Sequence, residues 1–357
     1  MNYSMNFNKL KTGISGIMRV RNEAAFLERS VASCINALDE LIIVYNDCSD
    51  GSEKIIRELQ TKYSEKIRAY EYPYKIYGIG LTEDEYEWAK SLPNDSEHLL
   101  CNYYNFALSK VTYRYAIKID ADQIYFEEVL AKLQEICKNA ETPCKLFPLA
   151  IGLLSQFYLT LFRRLSVVTE QIFPLMPARL AKAMAGKYRY YAIYMFKKGK
   201  ACLSLSGLNV FEDGKDVYVS LGRKNEIMNI LPPFNGEGDH VLFEVTAATY
   251  FERFDMPYYN QLCNTSRSLI EKFVHPYRIM PIGFAWKHIN SERPFRYKQV
   301  KEAKRRFPNS YMRLDDFLNA KWSTILKRSD KTMFNIYQRA LFTYVYKAYG
   351  CELREFL

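Results

Sequence analysis

The chain lacks most of the short motifs that announce a chemistry. It has no Gly-rich Walker loop, no nucleophile elbow and no His-Glu-x-x-His. This argues against P-loop nucleotidases, α/β-hydrolases and zincin proteases. Its eight cysteines (Cys34, Cys48, Cys101, Cys137, Cys144, Cys202, Cys263 and Cys351) are scattered, and no two form a Cys-x-x-Cys pair. Neither a zinc ribbon nor a disulfide framework is expected, and reduced thiols fit the cytoplasm. The opening residues Met1 to Asn6 hold no apolar core, so no secretory leader is expected. No internal repeat or low-complexity tract is visible.

What is present is ordinary in bulk and uneven in detail. The 357 residues, 48% hydrophobic and 25% charged, suit one large domain with additions, or two domains. Aromatics reach 15%, with 29 Tyr and 22 Phe. Rings stack on sugars, but they also fill cores, so this decides little. From Phe284 onward there are 16 Lys and Arg against 7 Asp and Glu. Such a basic segment can meet an anionic membrane surface or nucleic acid. It carries no recognised nucleic-acid motif, and no nucleic-acid partner is expected.

The first part of the chain alternates strand and helix. Ile14 to Val20 reads as a strand and Ala24 to Leu38 as a helix. Leu41 to Tyr45 reads as a strand covered on both faces, Glu53 to Tyr63 as a helix capped by Ser52 or Asp50, and Ile67 to Tyr72 as a strand. This order predicts a mostly parallel, doubly wound α/β sheet. Tyr74 to Glu97 reads as an irregular loop, His98 to Ser109 and Tyr125 to Asn139 as helices. Between them Tyr113 to Ile117 reads as a buried strand leading into Lys118-Ile119-Asp120-Ala121-Asp122-Gln123. In an extended chain residues i and i+2 face the same side, so Asp120 and Asp122 are expected to meet one ligand together. Two hard oxygens suit Mg²⁺ or Mn²⁺ held against phosphate.

Leu146 to Phe162 is 17 residues without a charge, interrupted by Pro148 and Gly152 and closed by Arg163-Arg164. A spanning helix needs about 20 apolar residues. With Ile172 to Ala185 following, the stretch reads as a helical insertion that either lies in a membrane interface or packs in a core or dimer contact. Tyr188 to Phe196, Leu203 to Val210 and Val217 to Leu221 read as strands, and Val241 to Phe251 as a helix opened by Gly236-Glu237-Gly238-Asp239-His240. A basic helix is expected around Lys298 to Arg306 and a long amphipathic one from Lys321 to Lys347.

Three segments, taken in order, resemble the GT-A glycosyltransferases of the large family-2 type that builds bacterial surface polysaccharides and lipooligosaccharides. They are Arg19-Val20-Arg21-Asn22-Glu23, Asn46-Asp47-Cys48-Ser49-Asp50-Gly51-Ser52, and Tyr104-Asn105-Phe106-Ala107 followed by Asp120-Ala121-Asp122. The chain departs from the family pattern at Arg21, Asn46 and Tyr104, and one residue of the second turn is missing. The resemblance implies a GT-A sheet flanked by helices, built from 1–140 and 188–283. An apolar helical insertion (141–187) and a basic helical extension (284–357) complete the chain.

It also implies an inverting, metal-dependent transfer from a nucleotide-diphosphate sugar, a UDP-sugar first, to a glycan or lipid-linked acceptor at the cytoplasmic face of the membrane. Arg19, Arg21, Asn22, Asp47, Asn105 and Asp120 would bind the donor. Asp120 and Asp122, with His288, would hold Mn²⁺ or Mg²⁺. Asp239, with Glu237 second, would be the base. A plain helix cap is the alternative for Asp239, and an inactive scaffold or membrane-binding protein is the alternative for the chain. A nucleotidyltransferase would open with a Gly-rich phosphate loop, which Arg19 to Glu23 lacks.

Overall fold

The strands form where apolar runs can be covered by helices. In the computed structural model the described residues are 7–139, 144–169, 177–224, 229–230, 232–256, 267–329 and 336–357. In chain order the strands and helices begin β1 (Lys11–Val20), α1 (Leu27–Cys34), β2 (Glu40–Tyr45), α2 (Ser52–Lys62), β3 (Ile67–Glu71) and α3 (Glu83–Ser91). Next come α4 (Leu100–Leu108), β4 (Tyr113–Asp120), β5 (Gln123–Tyr125), α5 (Glu127–Lys138), α6 (Leu146–Thr169) and α7 (Ala178–Lys197). Then follow β6 (Ala201–Asp213), β7 (Asp216–Ser220), β8 (Arg223–Lys224), β9 (Asn229–Ile230), β10 (Phe234–Glu244), β11 (Tyr250–Met256), β12 (Ser268–Val274) and β13 (Arg278–His288). The last are α8 (Pro294–Arg306), β14 (Tyr311–Arg313), α9 (Leu314–Asn319), α10 (Trp322–Arg328), α11 (Ile336–Tyr349) and α12 (Leu353–Phe356).

The chain divides into two compact units, 1–138 with 242–278, and 139–241 with 279–357. In the first unit β3, β2, β1 and β4 lie side by side and parallel, with β1 between β2 and β4. Leu242–Glu244, the end of β10, closes the far edge of β4 antiparallel. Ile14, Ile17, Met18, Leu41, Ile42, Ile43, Val44, Ile117 and Ile119 are buried, as a sheet covered on both faces requires. The order reverses at β1, whose neighbours β2 and β4 leave in opposite directions. Open α/β sheets place ligands at such a switch point, beyond the carboxyl ends of the strands.

The loop expected over 74–97 contains a helix instead. Thr82 Oγ1 accepts from the Glu85 backbone N–H, and the Glu85 carboxylate accepts from the Thr82 N–H, a capping box that starts α3. Tyr86 and Ala89 of α3 pack with Leu81 and Leu269. Gly51, at φ 89°, is the N-cap residue of α2, and Asp50 Oδ1, one residue earlier, accepts from the Ser52 N–H at 3.0 Å. The helix expected over Val241 to Phe251 is strand: β10 runs to Glu244 and β11 begins at Tyr250. A β11–β12 hairpin follows, with Tyr250 opposite Val274.

In the second unit Tyr188 to Phe196 is helix, not strand. The aromatic run continues α7, whose buried residues Ala181, Ala185, Tyr188, Ala192 and Phe196 recur at helical spacing. The tight approach of α6 to α7 rests on Gly152, where a Cβ would sit 2.3 Å from Tyr191 Cβ and 2.5 Å from the Lys187 carbonyl. β6 pairs antiparallel with β7, which pairs with β14. The long helix expected from Lys321 to Lys347 is at least two: α10 ends at Arg328, where the capping residue Ser329 turns extended, and α11 starts at Ile336. Ile172 to Met176 and residues 330–335, which fall within the expected segments, lie outside the described residues, as does Cys263.

Candidate active site

The carboxyl ends of β1, β2 and β4 gather most of the residues singled out in the first unit. The turn after β1 and the turn after β2 are fastened to each other. Asn22 Oδ1 accepts from the Ser49 backbone N–H at 2.7 Å, Ser52 Oγ accepts from the Glu23 N–H at 2.8 Å, and Asp50 Oδ2 accepts from the Ala24 N–H at 2.9 Å. Burial works to raise the Asp50 pKa, but the bonds from Ser52 and Ala24 outweigh it and hold the carboxyl below its usual range. Asn22 (φ 57°) and Asp47 (φ 47°) both adopt the left-handed conformation. Among residues with side chains Asn and Asp enter it most readily, and such conformations cluster at functional sites. The Arg21 guanidinium donates to Asp47 Oδ2 at 2.5 Å, in a pair about half exposed on both sides.

Asp120 is the last residue of β4 and lies opposite Arg19 of β1, at the switch point. It is held from several directions. Its N–H donates to the Tyr125 phenol oxygen at 2.8 Å, its carbonyl accepts from Ser30 Oγ at 2.9 Å, and its Oδ2 accepts from Gln123 Nε2 at 3.3 Å. The Tyr125 phenol in turn donates to Gln123 Oε1 at 2.8 Å. Burial pushes that phenol well above its ordinary pKa, so it stays a neutral donor. The sequence reading did not find Ser30, Gln123 or Tyr125. Gln123 and Tyr125 follow directly on the acidic pair, which is the one signal that pointed to them.

The extended geometry expected for the acidic pair is not what forms. Ala121 and Asp122 make the turn between β4 and β5. A turn, not strand alternation, sets the two carboxylates. Both residues are only partly buried. Among the described residues no group of three or more His, Cys, Asp or Glu is placed to hold a metal. Two hard carboxylates without a soft ligand fit Mg²⁺ or Mn²⁺, which complete their shells with water and phosphate oxygens.

Behind the acidic pair lies a charged, ring-lined layer. The Arg19 guanidinium stands 4.3 Å from the Tyr104 ring centroid and 5.7 Å from that of Tyr103. Burial acts to lower the Arg19 pKa, but Tyr104, Glu271 and Asp120 outweigh it and hold the cation more firmly than usual. Lys118 pairs with Glu271 at 3.2 Å with both side chains largely buried. Tyr104 stacks on Phe251 at 4.8 Å. Asn105, expected to contact the donor, spends its amide on the Phe251 backbone: Nδ2 donates to the carbonyl and Oδ1 accepts from the N–H, both at 2.8 Å. It fastens β11 to α4.

The remaining residues belong to the second unit. Glu237 and Asp239 lie within strand β10, not at the start of a helix. Their side chains are outside the described set. The helix-cap alternative for Asp239 therefore falls away. His288 ends β13, with Nδ1 3.2 Å from Asn209 Oδ1.

Residues 7–145 match the profile of a family described as Beta-1,4-N-acetylgalactosaminyltransferase (CgtA). No curated protein matches the chain. Among solved structures, a mycobacterial protein is similar at 15% identity over 32% of each chain, with a TM-score of 0.22. Glucosyl-3-phosphoglycerate synthase from Mycobacterium tuberculosis, in complex with Mn²⁺, UDP and phosphoglyceric acid, is similar at 19% identity over 34% of this chain and 38% of that one, with a TM-score of 0.21. TarS (residues 1–349) of S. aureus is similar at 10% identity over 88% of this chain and 71% of that one, with a TM-score of 0.28. The chain thus spans about a third of the first two structures.

Proposed function

From the match of residues 7–145 to the N-acetylgalactosaminyltransferase profile, we propose that this chain is an inverting GT-A glycosyltransferase. It moves a sugar from a nucleotide-diphosphate donor to a glycan or lipid-linked acceptor of a bacterial surface polysaccharide. The observation that carries this reading is the placement of Asp120 and Asp122 at the end of β4, beside β1 and the two interlocked turns. The family match makes UDP-N-acetylgalactosamine the first donor to test.

Asp47 and Asn22 would meet the base and ribose. Asp47 is already paired with Arg21, so a nucleotide must either displace that pair or be read by it. Asp120 and Asp122 would hold Mn²⁺ or Mg²⁺. The cation would neutralise charge on the departing diphosphate. Asp120 arrives preset, because Ser30, Gln123 and Tyr125 fix its backbone and one carboxylate oxygen. Such fixed polar groups need no reorganisation when charge develops. Asp239, with Glu237 second, would take the acceptor hydroxyl's proton.

The acceptor side points to a membrane surface, met from the cytoplasm. One described helix, Leu146–Thr169, is long and apolar enough to cross a membrane, and most of its apolar stretch is not buried. Residues 142–200 carry ten Lys and Arg and one acidic residue, Glu170. An exposed apolar face edged with cations suits peripheral contact with anionic lipid.

The test is turnover of a UDP-, GDP- and CMP-sugar panel with Mn²⁺ by the wild type and by Asp122→Ala. Turnover of one donor, lost with EDTA and in the variant, is the expected result. No turnover and no metal-dependent nucleotide binding by calorimetry would leave the scaffold reading in its place.

A further inference from the structure

A cavity of about 630 Å³ lies in the second unit, walled by α9, α10, α11 and the start of α12, with Ala178 at the head of α7. That is the size of a ligand pocket, and it would hold on the order of twenty waters. Part of its wall gives water little to bind. The Trp322 indole N–H donates to Thr343 Oγ1, and the Tyr346 hydroxyl is engaged with the carbonyls of Phe317 and Ala320, at 3.0 and 2.7 Å. With their polar atoms engaged inside the fold, Trp322 and Tyr346, together with Leu318 and Leu326, line the space as apolar surface. That stretch of wall suits a hydrocarbon chain.

The charge around it has one sign. Lys321, Lys347 and Arg354 line the cavity, and no carboxylate does among the described lining residues. Burial holds the Lys347 ammonium below its usual pKa. The cavity also borders apolar surface of the same unit. α6 and α7 run antiparallel, Gly152 lying beside Lys187 and Tyr191, so the end of α6 and the head of α7 share one end of the hairpin. Val167, Val168 and Leu180 are exposed there.

We infer that this cavity takes the anchor of a lipid-linked acceptor, its hydrocarbon chain against Trp322, Tyr346 and Leu326 and its phosphate between Lys321, Lys347 and Arg354. The inference rests on the transferase reading for the lipid's role as acceptor. The site itself does not depend on turnover.

The test uses the full chain and dodecyl phosphate below its micelle concentration, followed by calorimetry, with dodecyl maltoside and inorganic phosphate as controls. One molecule of dodecyl phosphate should bind per chain, at least tenfold tighter than the maltoside, and inorganic phosphate should not compete. Ser323→Trp, which brings an indole into the cavity from α10, should weaken binding tenfold or more. Lys321→Glu, at an exposed position, should abolish the preference for the phosphate head. Asp122→Ala should bind dodecyl phosphate as the wild type does, so loss of turnover and loss of the lipid site are told apart. With an active donor, Ser323→Trp should raise KM for a lipid-linked acceptor and leave kcat, and turnover of a water-soluble acceptor, unchanged. Absence of saturable binding would overturn the inference. So would equal binding by wild type and both cavity variants, or uptake of many molecules per chain with no phosphate preference.

Discussion

Replacing Glu40 tests whether the parallel sheet is pinned at the end opposite the site. Glu40 opens β2 and is 4% exposed. Its carboxylate accepts from the Ser15 hydroxyl at 2.6 Å, from the Thr112 N–H at 2.6 Å and hydroxyl at 2.8 Å, and from the Arg68 guanidinium. One side chain thus joins β1, β3 and the entry to β4. Glu40→Ala leaves the Thr112 N–H and the buried Ser15 hydroxyl without this acceptor, at about 1–3 kcal/mol for each buried group left unmet. Arg68, 37% exposed, regains water and offsets part of its own loss. The net cost should be about 3–5 kcal/mol, the range for breaking a buried charged pair. Glu40→Gln keeps the shape and one acceptor oxygen and should cost at least about 1 kcal/mol less. Urea unfolding followed by circular dichroism measures both. Turnover per folded molecule should stay near wild type, because the network lies at the other end of the strands. A cost under about 1 kcal/mol for Glu40→Ala would refute the reasoning, since so small a change is what a solvated surface pair gives.

Other outcomes follow from the same geometry. Asp120→Ala and Asp122→Ala should each cut donor turnover by about 10²-fold or more, read in a sugar-release assay, with the melting temperature little changed. Gly152→Val should force α6 from α7 and cost about 1–3 kcal/mol or more as an overpacked contact, read by thermal unfolding. His275 should make stability fall with acid. Burial lowers its pKa, and Nδ1 accepts from the Tyr277 N–H at 3.2 Å while Nε2 faces the Glu244 carbonyl at 3.2 Å, which is the neutral form. The unfolded chain then binds the extra proton first, so stability present above about pH 6.5 is lost below it. Urea midpoints at pH 7.5 and 5.5 should differ less in His275→Gln. Cys101 should resist alkylation at pH 8 in the folded state, because burial pushes its thiol up to about 11; iodoacetamide labelling read by mass spectrometry checks this.

The first four strands and most of the helices around them could be read from the chain because each is local: a continuous apolar run, or apolar residues at helical spacing. The strand end that carries Asp120 was legible for the same reason. What surrounds Asp120 was not. Ser30 is 90 residues away, and Lys118 meets Glu271 at a separation of 153, so these contacts exist only once the sheet is assembled. α3 hid in an acidic, Gly-flanked stretch although its Thr82 and Glu85 box was in plain sight. Val241-Leu242-Phe243-Glu244 reads as helix because an acidic, Gly-rich turn before it resembles a cap. Tyr188 to Phe196 was taken for strand because aromatics favour strands, yet Ala181 and Ala185 continue the same buried face. Local propensity loses to packing in both places.

The antiparallel pairing of Leu242–Glu244 with Tyr115–Ile117 sets a schedule for biosynthesis. The ribosome finishes β4 at Asp120 and then makes 124 further residues before Glu244 completes its edge partner. At about 5–20 residues per second, that is a delay of roughly 6–25 s. During it the nascent sheet presents the open backbone of a buried strand, the surface on which chains pair wrongly with one another. Recombinant yield should therefore respond to slower translation and to chaperones that shield strand edges more than to changes at the catalytic carboxylates.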